Sequence, residues 1–441
     1  VNTYVGPPDH RVLYDQDRSG MGITDTRGLY RPSLRMPPWS RPSQVVTTFD
    51  SGHGWSASGS GTASSNVNDT TDFSTGSQSA KATTTGTGAT SNIEKLTGLS
   101  INATGKIFRL RLKVDDPTHL QRINVFAGDT SLTNNFKWFV QTQTATTNYL
   151  QAGEWITITL PWSDIVATTG SPNRAAITAF RVQVTDDSAG AVTWHVDSVE
   201  TIADASSKFA NGVVSIVADD CRDSIYTLLK PLMDARGMSG TMYTIADAVG
   251  TSGRLTMAQL LEMQNRSGWE IAGHAATANV HNATSGLLSS DGDDQNREFE
   301  AMKSWLITNG FRGEGFAYPQ GKFDSATIER MRKYFAYGRT ILYENKETWP
   351  PANPYRLRAI SGISSVATAG DHANPTKLTQ AGGILELATT EKAWVILTFH
   401  VITSGAASVT TECAVADATT ILDKIVSQGM ACAPVADVLA A

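Results

Sequence analysis

The pattern of apolar and polar positions changes twice along the chain. Residues 1 to 44 are rich in Pro, Arg, Gly and aromatics, as in GLYRPSLRMPPWSRP, and show no sustained periodicity. They read as an extended arm lying on another domain or another subunit. From Val45, short runs alternate with Ser/Thr/Gly-rich loops: KIFRLRLKV, RINVFAG, FKWFVQT, EWITITLPW, AFRVQVTD and VTWHVDSVET. Period-two or β-branched runs with turn signals between them predict an all-β sandwich over residues 45–205.

From about Lys208 strands and helices alternate. VVSIVADD is a buried-strand run, followed by a helical pattern in SIYTLLKPLMDARG that closes on Gly237. GTMYTIA, WEIAGH, GEGFAYP, FAYGRTI, AWVILTFHV and a short strand near MACAPV follow as strands. TMAQLLEMQNRSG, DDQNREFEAMKSWLITNG, SATIERMRKY and AVADATTILDKIVSQG are the helices between and after them. Parallel crossovers of this kind predict an α/β region over residues 206–441, a barrel or a doubly wound sheet. In either fold the chemistry sits at the C-terminal ends of the strands. Those ends carry Asp219 and Asp220, His274, Tyr318 with Pro319, and His400.

Composition narrows the class without naming it. The 441 residues suit two or three domains. At 18% charged residues and a net charge of -6 there is no reason to expect a nucleic-acid partner. No apolar run is long enough to span a bilayer, so no membrane insertion is expected. The start VNTYVGPPDH is not a signal peptide, and an export signal could have been trimmed away. Of the three cysteines, Cys413 and Cys432 could pair, but three reduced thiols are the simpler expectation.

Two adjacent carboxylates ending an apolar strand are awkward for folding, and the histidines suggest what offsets them. His274 and His281 with a carboxylate from another strand end form a ligand set for a zinc-type catalytic ion. A second carboxylate beside the metal suits a general base, and a histidine from the opposite side suits an acid. His10, His53, His119, His195 and His372 have no such partner pattern and read as ordinary surface or core residues.

Four segments then carry a family resemblance. VADDCRDSIYTLLKPLMDARGMSGTMYTI, GRLTMAQLLEMQNRSGWEIAGH, GFAYPQGKFD and WVILTFHVI resemble, in order, the motifs of the polysaccharide deacetylases. These are the NodB-homology domains of carbohydrate esterase family four. The resemblance implies a distorted β/α barrel that hydrolyses acetyl groups with a divalent metal, expected to be zinc, though cobalt or nickel fit the same ligands. It implies Asp219 as base, Asp220 and His274 as metal ligands, and His400 as general acid. It places Tyr318 and the neighbouring backbone at the oxyanion contacts and groove wall.

The chain also departs from that pattern. The family's second histidine falls four residues after the first, where this chain has Ala278. The next histidine is His281. On a regular helix His274 and His281 would lie about 10 Å apart along the axis, too far to share an ion at about 2.1 Å. Ligation by both therefore requires a loop, and HNATSGL after His281 resembles the family's continuation, so His281 is the expected ligand. Cys221 stands where the family has Gly and is expected to be a buried thiol rather than a soft ligand. The arginine that steadies the base is missing from its usual slot, and either Arg339 or Arg358 could replace it. Asp223 and Ser224 are expected to cap the following helix.

The N-terminal β-region resembles jelly-roll carbohydrate-binding modules, with Trp138 and Trp155 as candidate sugar platforms that could equally be core. The expected activity is deacetylation, N- or O-linked, of an acetylated polysaccharide outside the cell. Two other readings remain: a catalytically silent glycan-binding relative, and a phage tail protein presenting the domain to a host capsule. The latter would be a homo-oligomer, trimeric if borne on a virion.

Overall fold

In a computed structural model of the chain, the described residues are 41–140, 149–342, 345–360, 362–366 and 373–441. They divide into two compact units, residues 41–205 with 351–353, and residues 206–350 with 354–441. Most of the expected arm, with His10, and the later His372 lie outside the described residues. The arm's expected end at residue 44 needs correction, because Pro42–Thr47 is a strand paired antiparallel with Thr193–Ala203. Proline is tolerated at the first position of a strand, where its missing N–H costs no ladder bond.

The first unit is built from two six-stranded sheets. One runs Thr62–Asp69, Ser79–Thr84, Thr193–Ala203, Lys106–Val114, Glu154–Leu160, with Pro42–Thr47 beside Thr193–Ala203. The other runs Ile165–Thr169, Asn135–Val140, Leu120–Gly128, Ala179–Asp186, Thr90–Lys95, Ser56–Ser58. The neighbouring strands pair antiparallel. Phe108 of the first sheet meets Phe180 and Trp138 of the second at ring separations of 5.0 and 5.9 Å. Trp138 is therefore an interior residue, wholly buried with its Nε1–H donating to the Pro161 carbonyl. Trp155 is half-buried and donates its Nε1–H to Asp72.

The second unit is a parallel barrel. Its strands are β1 (Val213–Ala218), β2 (Thr241–Ile245), β3 (Glu270–Ala275), β4 (Gly315–Ala317), β5 (Tyr337–Ile341), β6 (Leu357–Ala359) and β7 (Trp394–Phe399). They pair in that order, β7 returns to pair with β1, and an eighth short strand, Ala431–Cys432, pairs parallel with the start of β1. Between β6 and β7 the ring is joined by Ile360, whose N–H donates to the Ile396 carbonyl at 2.9 Å. The helices expected from the 3.6-residue pattern form at Met257–Ser267, Gly292–Thr308, Ser325–Met331 and Val415–Ser427. Thr256 caps the first of these in a reciprocal box with Gln259, and Gly268 ends it in the left-handed region. Among the described residues no helix is long and apolar enough to cross a membrane.

Alternation along the strands decides what points into the barrel. Val213, Val217, Tyr243, Ala272, Ala317, Tyr337, Leu357 and Ile396 share the inner cluster. Val214, Ile216, Met242, Ile271, Phe316 and Leu397 pack outward against the helices. The short helix Val435–Ala440 closes the N-terminal mouth. There the Val435 N–H donates to Thr241 Oγ1 and the Ala436 N–H to Glu270 Oε2. Gly315 is required beside them: a Cβ there would lie 1.9 Å from the Tyr337 ring.

Burial pushes the Glu270 carboxyl up to about 7, against the hydrogen bonds it accepts from Tyr337, Ala436 and Thr241. Its ordinary value is 4.5, so between the two the folded state holds a proton that the unfolded chain has released. Stability should fall as pH rises through that window. Glu270→Gln, which keeps an acceptor for Tyr337, should flatten that fall. It should also raise stability at about pH 8 by on the order of 1 kcal/mol, read by urea unfolding across a pH series.

Candidate active site

The inward parity of the strands continues past their C-terminal ends and builds the site. Asp219 follows β1 at the same parity as Val213 and Val217, His274 lies on β3, Arg339 on β5, and His400 follows β7. Arg339 Nη2 donates to both carboxylate oxygens of Asp219, at 2.5 and 2.6 Å, with both side chains buried. The open choice of arginine is thereby decided. Arg358 pairs with Glu347 instead, at 2.6 Å. Burial alone would raise the Asp219 carboxyl, but Arg339, then His274 and His400, hold it below its ordinary range. His400 Nε2 lies 3.8 Å from Asp219 Oδ2 and His274 Nε2 lies 3.9 Å from it. The guanidinium carbon of Arg339 sits 4.9 Å from the centre of the Tyr243 ring, a cation–π contact inside the barrel.

Asp220 does not continue the strand. It takes φ of +69° and Cys221 takes +46°, consecutive left-handed residues that are not glycine. This explains why glycine suits the Cys221 position. Arg254 Nη1 donates to the Asp220 carbonyl, and the Leu255 N–H to the Cys221 carbonyl at 2.8 Å. The Cys221 thiol is buried against the Ile245 carbonyl and pushed up to about 11 by burial, and it is not part of the Asp220, His274 and His281 cluster. All three cysteines are free, and no Cys413–Cys432 bridge forms. The turn carries the Asp220 carboxylate towards the two histidines. Its Oδ1 lies 3.0 Å from His281 Nε2 and 3.8 Å from His274 Nε2. Arg222 Nη2 approaches Oδ2 at 3.5 Å.

His281 reaches this cluster because residues 274–281 are not one helix. His274 is on a strand, Thr277 caps a short helix over Ala278–Asn282, and the two imidazole centroids come to 4.6 Å. Ala278 opens that helix, and His281 lies one turn later on the same face. Several side chains that sequence reasoning missed hold the turn. Glu298 Oε1 accepts from the N–H groups of Ala276 and Thr277, at 2.7 and 2.8 Å. Asp247 accepts from Ala278, and Gln320 donates to the Ala283 carbonyl. Gln320 lies within the quoted motif GFAYPQGKFD and Asp247 two residues past the motif that ends at Ile245, but neither position announces its role.

Asp220, His274 and His281 bring their ligating atoms within 4.8 Å of one another. Each imidazole has the other nitrogen engaged: His274 Nδ1 with the Ala317 carbonyl at 2.8 Å, and His281 Nδ1 with Asn282 Oδ1 at 2.9 Å. Those oxygens accept, which places the protons on Nδ1 and leaves Nε2 with a lone pair facing Asp220. The donor set therefore fits a divalent cation of zinc type.

Against this geometry, residues 206–336 match the family model described as polysaccharide deacetylase. The segment is a polysaccharide deacetylase domain. No curated protein matches the chain. Among solved structures, similarity is found to a Streptococcus pyogenes deacetylase in complex with acetate. It has 21% identity and a TM-score of 0.29, covering 33% of this chain and 62% of that one. A family 4 carbohydrate esterase from Streptomyces lividans, in complex with acetate, has 15% identity and a TM-score of 0.32, covering 50% and 92%. A family 4 pseudoenzyme from Bacillus anthracis has 10% identity and a TM-score of 0.34, covering 52% and 66%.

Two expectations for the deacetylase domain need correction. Tyr318 is wholly buried; its hydroxyl donates to the Tyr355 carbonyl and its N–H to the Arg339 carbonyl. Both donors are engaged by the barrel itself, so Tyr318 does not supply the oxyanion contact. Ser224 makes no capping bond either; its Oγ accepts from the Ile402 N–H at 3.1 Å, tying the β1 end to the segment after His400. The chain there forms a π-turn over Ile225–Leu229 before Lys230–Asp234.

Two substitutions test the framework. Cys221→Val keeps a buried apolar side chain but places a β-branched residue at φ of +46°. It should cost about 2 kcal/mol, whereas Cys221→Gly should fall within about 1 kcal/mol of the parent, both by thermal unfolding. Arg339→Met leaves Asp219 buried and unpaired and should cost about 3 kcal/mol.

Proposed function

We propose that this protein removes acetyl groups from an acetylated polysaccharide by metal-assisted hydrolysis. The observation that carries the reading is the convergence of Asp220, His274 and His281 beside an Arg339-held Asp219 that His400 also flanks. In this reading Asp220, His274 and His281 hold a divalent cation, zinc by the character of the donors. When bound, the ion would polarise the acetyl carbonyl and increase the acidity of the attacking water.

The remaining steps belong to the chain's own side chains. Asp219 stays ionised because Arg339 faces it, and it accepts the proton of the attacking water. That pairing also fixes the carboxylate, so the base needs no reorganisation as the water is deprotonated. His400, on the other flank of Asp219, donates a proton to the departing amine or alcohol as the acyl bond breaks. The products are acetate and the free sugar amine or hydroxyl. The substrate class places the site of action at an extracellular glycan, whether the chain is secreted or borne on a virion.

The intact pairing of base, arginine and flanking histidine favours catalysis over silent glycan binding. The decisive measurement is acetate release from a generic acetylated glycan with and without chelator, together with bound metal. Asp219→Asn should lose at least about 100-fold in kcat while keeping its metal. Asp220→Ala and His274→Ala should lose the metal as well. Glycan binding with neither metal nor acetate release would sink the enzymatic reading.

A further inference from the structure

A second set of ligating atoms lies wholly within the first unit. Asp72, Asp115 and His195 bring a ring nitrogen and two carboxylate oxygens within 4.8 Å of one another. His195 is on the strand Thr193–Ala203, between Trp194 and Val196 and of opposite parity to them. Asp115 follows the neighbouring strand Lys106–Val114. Asp72 lies in the segment between Thr62–Asp69 and Ser79–Thr84. That segment is tied to the same strand by Ser74 and Thr75, whose hydroxyls donate to Asp197 at 2.8 and 2.5 Å.

His195 was expected to be an ordinary core or surface residue, and it is not a satisfied one. It is wholly buried, and neither ring nitrogen has a hydrogen-bond partner. Nε2 lies 3.2 Å from Asp115 Oδ1 and 3.9 Å from Asp72 Oδ2, while Nδ1 lies 3.9 Å from Asp69 Oδ2. Asp69 Oδ2 is buried and likewise without a hydrogen-bond partner. An imidazole with two orphaned nitrogens is costly to bury. With its proton on Nδ1, facing Asp69, the ring would turn an Nε2 lone pair to the other two carboxylates. A carboxylate behind the ring is how metal-binding histidines are commonly oriented. Lys113 already brings a cation to this pocket: its Nζ pairs with Asp72 and lies 3.0 Å from Asp115 Oδ1. It neutralises the carboxylates yet makes no hydrogen bond to His195. Asp72 and Asp115 are 33% and 40% exposed, which leaves a path from solvent.

We propose that Asp72, Asp115 and His195 form a divalent-cation site of zinc type, with Lys113 as its built-in competitor. The ion displaces the Lys113 ammonium, takes up the His195 lone pair, and clamps the Asp72 segment onto the sheet.

The test is a zinc titration of the full chain read by native mass spectrometry. The parent should bind two ions, and Asp115→Asn, altered at a partly exposed side chain, should bind one. Asp220→Ala should retain one ion, which separates this site from the barrel's; that ion, if lost in Asp115→Asn, upholds the site even if the barrel binds none. Lys113→Met removes the competing ammonium and should tighten zinc binding at this site by about tenfold. It reads the site by gain, so misfolding of one variant cannot imitate both results. A parent that binds only one ion and loses it in Asp220→Ala, or weaker binding at this site in Lys113→Met, would overturn the proposal.

Discussion

Two like charges at the end of a strand buried on both faces set the terms for the rest of the deacetylase domain. Alternation sends Asp219 into the barrel, and an extended backbone would send Asp220 outward among apolar side chains. The chain avoids this by entering the left-handed region at Asp220 and Cys221, at a cost of about 1–3 kcal/mol for each such residue. Arg254 and the Leu255 N–H hold the turn. The two carboxylates then face different partners, Arg339 in the interior and the imidazoles at the mouth. Neither is buried without a counter-group.

The parity that places Asp219 also places everything facing it. Arg339 shares its strand face with Tyr337, and His274 shares its own with Glu270 and Ala272. Polar side chains therefore stack in layers along the barrel. The Arg339 guanidinium rests on Tyr243, whose hydroxyl lies 3.3 Å from that of Tyr337, which donates to Glu270 at 2.8 Å. The charge pair at the top is thus supported by a buried column reaching the mouth that Val435–Ala440 closes. Support of this kind keeps the Asp219 carboxylate in one position.

Much of this was legible in the sequence because periodicity and strand-end chemistry are local signals. The runs ending at Asp219, His274 and His400 each became a barrel strand, and their order gave the common edge. The β6 strand, Leu357–Ala359, was missed because three residues carry no period, although it is nearly the last link in the ring. Arg339 and Arg358 were indistinguishable in sequence, since each sits in a short run between aromatics or apolar residues; only the partners that the fold brings to them, Asp219 and Glu347, separate them. Tyr318 was misjudged because its motif gives proximity to the site but not the direction of its donors. His195 was underrated for the opposite reason. Its partners come from loops far away in the chain, and no spacing announces them.

The position of His281 shows what spacing does and does not determine. A strand advances about 3.3 Å per residue and a helix about 1.5 Å, so seven residues do not specify a distance until the turn between them is fixed. Here the turn is fixed by groups outside the interval as well as by Thr277. Glu298 on the Gly292–Thr308 helix takes two of its N–H groups, Asp247 takes a third, and Gln320 takes the carbonyl at the far end. Moving the imidazole one helical turn from position 278 keeps it on the face towards Asp220. The longer reach to Asp220 is offset by folding the segment back over His274. What the site requires is two Nε2 lone pairs directed at one carboxylate, and any chain path that a neighbouring shell can hold in that arrangement meets the requirement.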